Sequence, residues 1–431
     1  EEGQPICTDV LIYYPVSKRG ALFDIPGNTG AIYSSIGRTD RIDQVYVEKG
    51  IEVYKNEIQK LSDTNIPFTL EIDIEEFAKL TDLLGGLRVF VPSAVDYVSE
   101  AGERYLLPSG AVTLDGDKIV DYLTYVTPED STSDIQDRKQ SVIVAFFAAI
   151  NRQCTPSKAE EHVEENELTD PLGADLYKKT SRLVHQYKNR CLLLTTSKCF
   201  TYCRFCFRRS FAGQGTGFIN STEMAEVSEY LQNHPELKEI LISGGDPMTG
   251  SDQKLNALFY SIRKARPEIL IRLCTRSPIF APERFTDETI TLLKQYAPLW
   301  VIPHINHPVE ISKTWSEKSY NLLKKLVDSG IPVQSQTVLL RGVNDDVKIL
   351  ASLFENLVFM GIKPGYLFQT DLAEGTSHFR VPLEKGKALY KELKKELSGL
   401  SLPTYAVDLP GGGGKVNIMA TEFVKDGQNW K

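Results

Sequence analysis

The sequence predicts an α/β protein in two parts: a partial (β/α)6 barrel over residues 191–431, preceded by a separate α/β domain over 1–150, with 151–190 as linker and N-terminal arm. The 431 residues suit two or three domains of roughly 150 each, and 42% hydrophobic residues can supply a core for every one of them. From about residue 190 short apolar runs alternate with amphipathic stretches, the rhythm of βαβ units in a parallel sheet. The first 150 residues lack that rhythm and are punctuated by Gly and Pro.

In the first part, residues 48–61 and 74–84 carry helical periodicity, and 87–92 reads as a strand. The acidic segment 158–167 has little apolar content and reads as a linker or surface arm. In the second part strands are expected at 191–195, 239–243, 270–274, 300–304, 333–338 and 366–369, with helices near 222–233, 253–266, 286–296, 315–329, 347–360 and 384–398. Parallel α/β sheets gather their chemistry at the carboxyl ends of strands. Polar signatures sit there in this chain: Ser243-Gly-Gly-Asp246, His304-Ile-Asn-His307, Gln336 and Asp371. One shared site is expected.

Lys and Arg number 49 against 57 Asp and Glu, a net charge of −8, so no basic field exists to hold nucleic acid or an anionic membrane. No run of eighteen apolar residues suggests a membrane span, and a soluble, cytoplasmic protein is expected. The chain opens at Glu1 and not at a methionine, which leaves room for a leader or anchor upstream.

Seven cysteines are no disulfide framework in a chain of this length. Cys191 and Cys274 lie in apolar runs and read as buried strand thiols, while Cys7 and Cys154 are isolated. The other three stand together in Cys199-Phe-Thr-Tyr-Cys203-Arg-Phe-Cys206, directly after a strand. Three thiolates on one loop can each take one iron of a 4Fe-4S cluster and leave the fourth iron open to a small molecule. The rival readings are a structural zinc, which wants a fourth ligand nearby and finds none following closely, the next histidine downstream being His234, and uncoordinated thiols.

This triplet resembles that of the radical S-adenosylmethionine enzymes, in which the open iron chelates S-adenosylmethionine and an electron from the cluster releases a 5'-deoxyadenosyl radical. Ser243, Gly244, Gly245 and Asp246, followed by Pro247, resemble the second motif of those enzymes, beside the amino group of the cofactor. A narrower likeness covers roughly residues 150–420. Asp170-Pro-Leu-Gly173, Leu183-Val-His-Gln-Tyr187, Arg190, Arg208-Arg-Ser-Phe-Ala-Gly213, His304-Ile-Asn-His-Pro308, Gln336-Thr-Val-Leu-Leu-Arg-Gly-Val-Asn-Asp345, Asp371-Leu and Asp408-Leu-Pro-Gly-Gly-Gly-Gly-Lys415 are together similar to the lysine 2,3-aminomutase family.

The glycines before Lys415 are not a phosphate loop, because Val416 stands where a Walker motif has Ser or Thr. The resemblance implies that Lys415 is catalytic and carries pyridoxal 5'-phosphate as a Schiff base, and that Arg190 contacts that cofactor. It implies that Arg208 binds the substrate carboxylate and that Asp371 and Asp408 hold the side-chain ammonium of lysine, whereas a relative acting on glutamate would lack the acidic pair. His304 and Gln336 resemble positions that contact S-adenosylmethionine. The implied reaction moves the α-amino group of L-lysine to the β-carbon, with an external electron donor such as flavodoxin or ferredoxin. Rival functions are a related radical reaction on arginine or on a lysine within a peptide, and a non-catalytic cell-envelope binding protein.

Sixteen residues follow Lys415, and the resemblance there is to the enzymes that make β-lysine for elongation factor P, without a zinc-binding tail. Residues 8–150 resemble the LytR-CpsA-Psr domains, through Gly37-Arg-Thr-Asp-Arg-Ile-Asp43, Glu71-Ile-Asp-Ile-Glu-Glu-Phe77, Leu83-Leu-Gly-Gly-Leu87-Arg-Val-Phe-Val-Pro92 and Leu114-Asp-Gly-Asp-Lys-Ile-Val-Asp-Tyr122. The pyrophosphate-binding arginines of that family fall on Pro26-Gly-Asn28, Gln136 and Lys139, so a degenerate domain is expected. Arg38, Arg41 and Arg138 are the candidates for a displaced clamp.

Overall fold

The computed structural model describes residues 3–14, 19–67, 69–84, 86–98, 102, 104–127, 130–421, 425–426 and 429–430. Gly85, within the Leu83–Leu87 motif, lies outside them. The chain divides into two compact units, Glu1–Ile150 and Asn151–Lys431. Among the described residues no helix is long and apolar enough to cross a membrane.

The first unit contains β1 (Asp9–Tyr14), β2 (Arg19–Asp24), β3 (Gly30–Tyr33), β4 (Arg38–Arg41), α1 (Ile42–Ser62), α2 (Ile74–Leu83), β5 (Leu87–Val91), β6 (Val95–Val98), β7 (Arg104–Leu107), β8 (Gly110–Leu114), α3 (Gly116–Thr124) and α4 (Thr132–Asn151). The strands pair antiparallel as β1–β2, β3–β4, β5–β8 and β6–β7. α1 starts at Ile42, ahead of the expected 48. Ile42 and Val45 are fully buried in one core with Tyr54 and Ile58, and Gly50 at φ 75° breaks the helical period between the two pairs. α3 and α4 were not expected: α4 is polar in its first half and apolar in its second, so no periodic stripe marks it.

The second unit runs β9 (Leu183–Tyr187), β10 (Arg190–Thr196), α5 (Ser221–Asn233), β11 (Glu239–Gly244), α6 (Asp252–Ala265), β12 (Leu270–Thr275), α7 (Ser277–Phe280), α8 (Asp287–Gln295), β13 (Leu299–Pro303), α9 (Glu317–Asp328), β14 (Gln334–Leu339), α10 (Val347–Phe359), β15 (Lys363–Gln369), α11 (Leu383–Glu396), β16 (Thr404–Leu409) and β17 (Gly414–Asn417). β10 to β13 pair in parallel, as do β14 to β16, and the parallel bridges Val301↔Val333 and His304↔Gln336 join the two runs. β9 and β17 flank them antiparallel. Six parallel strands were expected and a seventh, β16, is present; Asp408 interrupts its apolar pattern. No ladder joins β9 to β17 among the described residues, so the sheet is open.

Four of the crossover helices, α5, α6, α8 and α10, begin on side-chain caps: Asn220 in a reciprocal box with Glu223, Ser251, Thr286 and Asp346. Their apolar stripes cover one face of the sheet, where Ile240, Ile242, Ile271, Leu273 and Val301 meet Val227, Leu255, Phe259, Leu323 and Leu326 without exposure. Truncating one such leucine to Ala costs about 2–5 kcal/mol. Because side chains alternate along a strand, Glu239, Leu241 and Ser243 on β11 and Arg272 and Cys274 on β12 project from the other face.

The acidic segment 158–167 is not a loose linker. Glu160 pairs with Arg204 and Arg209, Glu164 with Arg380, and the fully buried carboxylate of Glu167 with Arg380 and the backbone N–H groups of Gly375 and Thr376. Three of its carboxylates are spent on fixed partners, while Glu161 and Glu165 face water.

Candidate active site

Cys199, Cys203 and Cys206 lie part-buried on the loop after β10, where the Cys206 N–H donates to the Cys203 carbonyl at 3.2 Å. Burial, then the neighbouring carboxylate and thiols, pushes the Cys199 thiol up to about 12. Burial and Cys203 push Cys206 to about 11. Thiols held protonated in this way, as Cys199 and Cys206 are, are released by a cationic centre. Among the described residues no His, Cys, Asp and Glu side chains gather for a single metal ion. Thiols strung along one loop suit a multi-iron cluster, in which each takes its own iron.

The Ser243–Asp246 turn is pressed against the start of that loop. Gly244 has φ 111°, and a Cβ on Gly245 would lie 2.3 Å from the Lys198 carbonyl oxygen, so no larger residue fits there. The Asp246 carboxylate accepts from Thr275 Oγ1 at 2.8 Å, Arg276 N–H at 2.9 Å and Met248 N–H at 3.0 Å, which fixes the turn; burial raises its pKa. What the Asp246 carboxylate does here is shape the Gly-Gly backbone.

His304 and Gln336 are neighbours across the bridge between β13 and β14. Burial and the Arg276 charge hold His304 down at about 3, so its ring is neutral. Asn306 Oδ1 accepts from Val338 N–H at 2.9 Å and lies 3.0 Å from His304 Nε2. That nitrogen is therefore the donor, and Nδ1 keeps its lone pair.

At the open edge, β17 brings Lys415 opposite Asp408 on β16, with Nζ 3.8 Å from Oδ2. The ammonium also lies over the rings of Phe368, 4.2 Å from its centroid, and Tyr366, at 4.7 Å. Burial lowers the Lys415 pKa, with the Arg272 and Arg190 charges acting in the same direction. An amine that sheds its proton readily is what condensation with an aldehyde requires, and two arginines beside it suit a phosphate. The turn is clamped from β9 and the arm: Gln186 Nε2 and Tyr177 OH both donate to the Gly412 carbonyl at 3.0 Å, and the Lys415 N–H donates to Tyr187 OH at 2.9 Å. Gly412 has φ 84°, and a Cβ on Gly173 would lie 2.6 Å from its nitrogen. Arg190 stacks on the Tyr187 ring at 3.8 Å. The residues therefore fit pyridoxal phosphate.

Between these ends stand Arg208 and the acidic pair. Arg208 Nη1 donates to Ser243 Oγ at 3.1 Å. Burial lowers its pKa against the fields of Cys206, Cys274, Asp371 and Asp408. Burial and then Asp408 raise the Asp371 carboxyl to about 7, opposed by Lys415 and Arg208. Cysteine loop, arginine, carboxylates and lysine thus share one electrostatic neighbourhood.

Several participants escaped the sequence. Arg276, Glu310 and Gln153 form a buried knot against Cys203, whose partners lie 34 to 123 residues apart. Cys154 is not isolated; its thiol, at about 11 through burial, feels Arg276 and Cys203. Cys274 faces the site beside Arg272, Arg208 and Lys415. Tyr187 was visible as a motif letter, but its grip on Lys415 was not. Two open grooves of about 500 and 370 Å³, between α5 and α6 and between α10 and α11, carry none of these residues.

In the first unit, Arg38 pairs with Asp40 and Glu48, and Arg41 with Asp43. Arg138 lies over the Tyr125 ring at 3.7 Å and pairs with Asp130. All three candidates for a displaced clamp already have partners.

Residues 193–353 match the Radical SAM superfamily, and residues 16–198 match the LytR_cpsA_psr family. A Treponema pallidum protein provisionally named L-lysine 2,3-aminomutase is 51% identical over 278 residues, covering 64% of this chain and 77% of that protein. The L-lysine 2,3-aminomutase of Fusobacterium nucleatum is 38% identical over 270 residues, 63% of each chain. A glutamate 2,3-aminomutase of Clostridioides difficile is 32% identical, covering 64% of this chain and 66% of its own. Among solved structures, Bacillus subtilis TagV has 19% identity and a TM-score of 0.32, covering 37% of this chain and 61% of its own. With half its residues identical over more than three quarters of the Treponema protein, the chain belongs to the lysine 2,3-aminomutase family of radical SAM isomerases.

Proposed function

We propose that the chain converts L-lysine to β-lysine by moving the α-amino group to the β-carbon. The observation that carries this reading is the Asp371 carboxyl, raised to about 7 by burial and by Asp408. Two half-buried carboxyl groups in one another's field favour a cation between them, and the lysine side chain supplies one. Arg208, with one guanidinium nitrogen on Ser243, offers the rest of its fork to the substrate carboxylate.

The β-hydrogen of an amino acid is out of reach of acid–base chemistry. When bound, a 4Fe-4S cluster with S-adenosylmethionine supplies a radical that removes such a hydrogen, and pyridoxal phosphate supplies a delocalised seat for the migrating nitrogen. The chain does the holding. Cys199, Cys203 and Cys206 take three irons. Ser243, Gly244, Gly245, His304 and Gln336 line the place of S-adenosylmethionine, while Lys415, Arg190 and Arg272 take the aldehyde and phosphate ends of the other cofactor. Phe205, Tyr366 and Phe368 keep water from the reacting carbon. An oxygen-sensitive cluster, reduced by a flavodoxin or ferredoxin, belongs in a reducing compartment, and the cytoplasm is the proposed location.

The test is anaerobic reconstitution with iron, sulfide, S-adenosylmethionine and pyridoxal phosphate, followed by assay on lysine, arginine, ornithine and glutamate. β-Lysine formation is expected. Turnover of arginine or glutamate without lysine overturns the proposal, and a chain that holds neither cofactor supports the non-catalytic reading.

A further inference from the structure

Arg276 follows β12 and is 8% exposed, between the rings of Phe280 and Phe205, whose centroids lie 4.8 and 5.2 Å from its guanidinium carbon. Its Nη1 donates to Cys203 Sγ at 2.7 Å. Its Nη2 donates to Gln153 Oε1 at 2.7 Å and to Glu310 Oε1 at 2.8 Å. Glu310 is itself fixed, because its other oxygen accepts from the Asn306 and His307 N–H groups at 2.7 and 3.2 Å. Gln153 also accepts from Asn306 Nδ2 at 2.7 Å, and Asn306 holds His304. A guanidinium does not lose its proton in a protein. A permanent charge, shielded from water by two rings, is therefore in contact with the sulfur of one cysteine of the triplet.

We propose that Arg276 is the positioning residue that orients Cys203 and raises the reduction potential of the cluster, with Glu310 as its counterweight. The inference rests on reading Cys199, Cys203 and Cys206 as the cluster ligands. Reduction adds one electron, delivered by a low-potential protein donor, to a centre that already carries thiolate charge. A cation bonded to a ligand sulfur favours the reduced form more than the oxidised one, and in a dry pocket little solvent screens it. The Glu310 carboxylate has the opposite sign and touches the arginine rather than the sulfur, so it offsets part of the effect.

The experiment is an EPR-monitored redox titration of the anaerobically reconstituted full chain, with iron and sulfide content measured for each sample. Arg276→Gln is expected to move the midpoint negative by about tenfold in the reduction equilibrium, ~59 mV for one electron. Arg276→Lys, which keeps the charge, is expected to stay close to wild type. Glu310→Gln removes the counterweight and is expected to move the midpoint positive. Opposite signs from the two neutralised residues are not produced by loosened packing. Midpoints unchanged in both Arg276→Gln and Glu310→Gln overturn the proposal, as does an equal negative shift in Arg276→Gln and Arg276→Lys. If Arg276→Gln does not fold, the sign of the Glu310→Gln shift decides. A wild-type chain without iron and without an EPR signal refutes the cluster reading instead, so the two failures are distinguishable.

Discussion

Asp408 and Lys415 face one another across the ladder of β16 and β17, paired in register, with 3.8 Å between carboxylate oxygen and amine. In the free chain the lysine's own ammonium stands where the substrate ammonium is proposed to lie. Were the Lys415 amine engaged by a cofactor aldehyde, it would be drawn away from Asp408 and leave Asp371 and Asp408 open to another cation. The site would then favour a cationic substrate after the cofactor has been loaded.

Borohydride reduction of the pyridoxal phosphate-loaded chain should place the pyridoxyl label on Lys415 in a peptide map. Lys415→Ala should lose the visible absorbance of the bound cofactor while retaining iron. Label on a different lysine would show that the clamped turn serves another purpose.

Asp371→Asn and Asp408→Asn should each raise the KM for lysine by about 100-fold, since removing one partner of a buried charged set costs about 3 kcal/mol. S-Adenosylmethionine binding, measured by calorimetry, should be unaffected. An unchanged KM would mean that the ammonium is held elsewhere.

Asp371 has an ordinary pKa of 3.8 that the fold raises to about 7. Between those values the native carboxyl keeps a proton that the unfolded one has lost, so its contribution to stability falls as pH rises from about 4 to about 7. A bound ammonium favours the carboxylate and expels that proton. Lysine affinity should therefore increase with pH up to about 7, with proton release approaching one per chain near about pH 6 in buffers of different ionisation enthalpy. Asp371→Asn should abolish the release.

Replacing Cys199, Cys203 or Cys206 with Ala should remove the cluster's EPR signal and S-adenosylmethionine cleavage, whereas Cys191→Ala should spare both. Zinc as the sole metal of anaerobically prepared protein would contradict the donor assignment.

The N-terminal unit should not hydrolyse a polyprenyl pyrophosphate analogue in the presence of magnesium, assayed on the full chain. Arg38, Arg41 and Arg138 are engaged by acidic neighbours, so each cation is already partly neutralised and turned from the fork geometry that a pyrophosphate clamp requires. Turnover would show that those ion pairs open.

What could be read from the sequence and what could not divide along a physical line. The cysteine loop, the Gly-Gly turn and Asp371 are local strings at strand ends, and βα alternation alone puts them on one side of a sheet, whereas Lys415 was legible only through the family resemblance. β16 escaped because Asp408 breaks its apolar pattern, and α1 was entered late because Gly50 resets its period. The Arg276 knot could not be read at all. Gln153, Arg276 and Glu310 carry no spacing that links them, and only the tertiary fold brings them to Cys203.

The arm has a consequence for how this chain can change. Between Glu160, held by Arg204 on the cysteine loop, and Tyr177, held by the Gly412 carbonyl on the lysine turn, the backbone also docks at Leu168, whose N–H donates to Leu372 at 2.7 Å. One segment thus spans the cysteine loop and the lysine turn like a ruler with three fixed marks. Its length is set by the distance between those two loops, so an added or deleted residue between the marks should strain one anchor against its partner. Exposed side chains such as Glu165 can be exchanged freely, because they hold no mark.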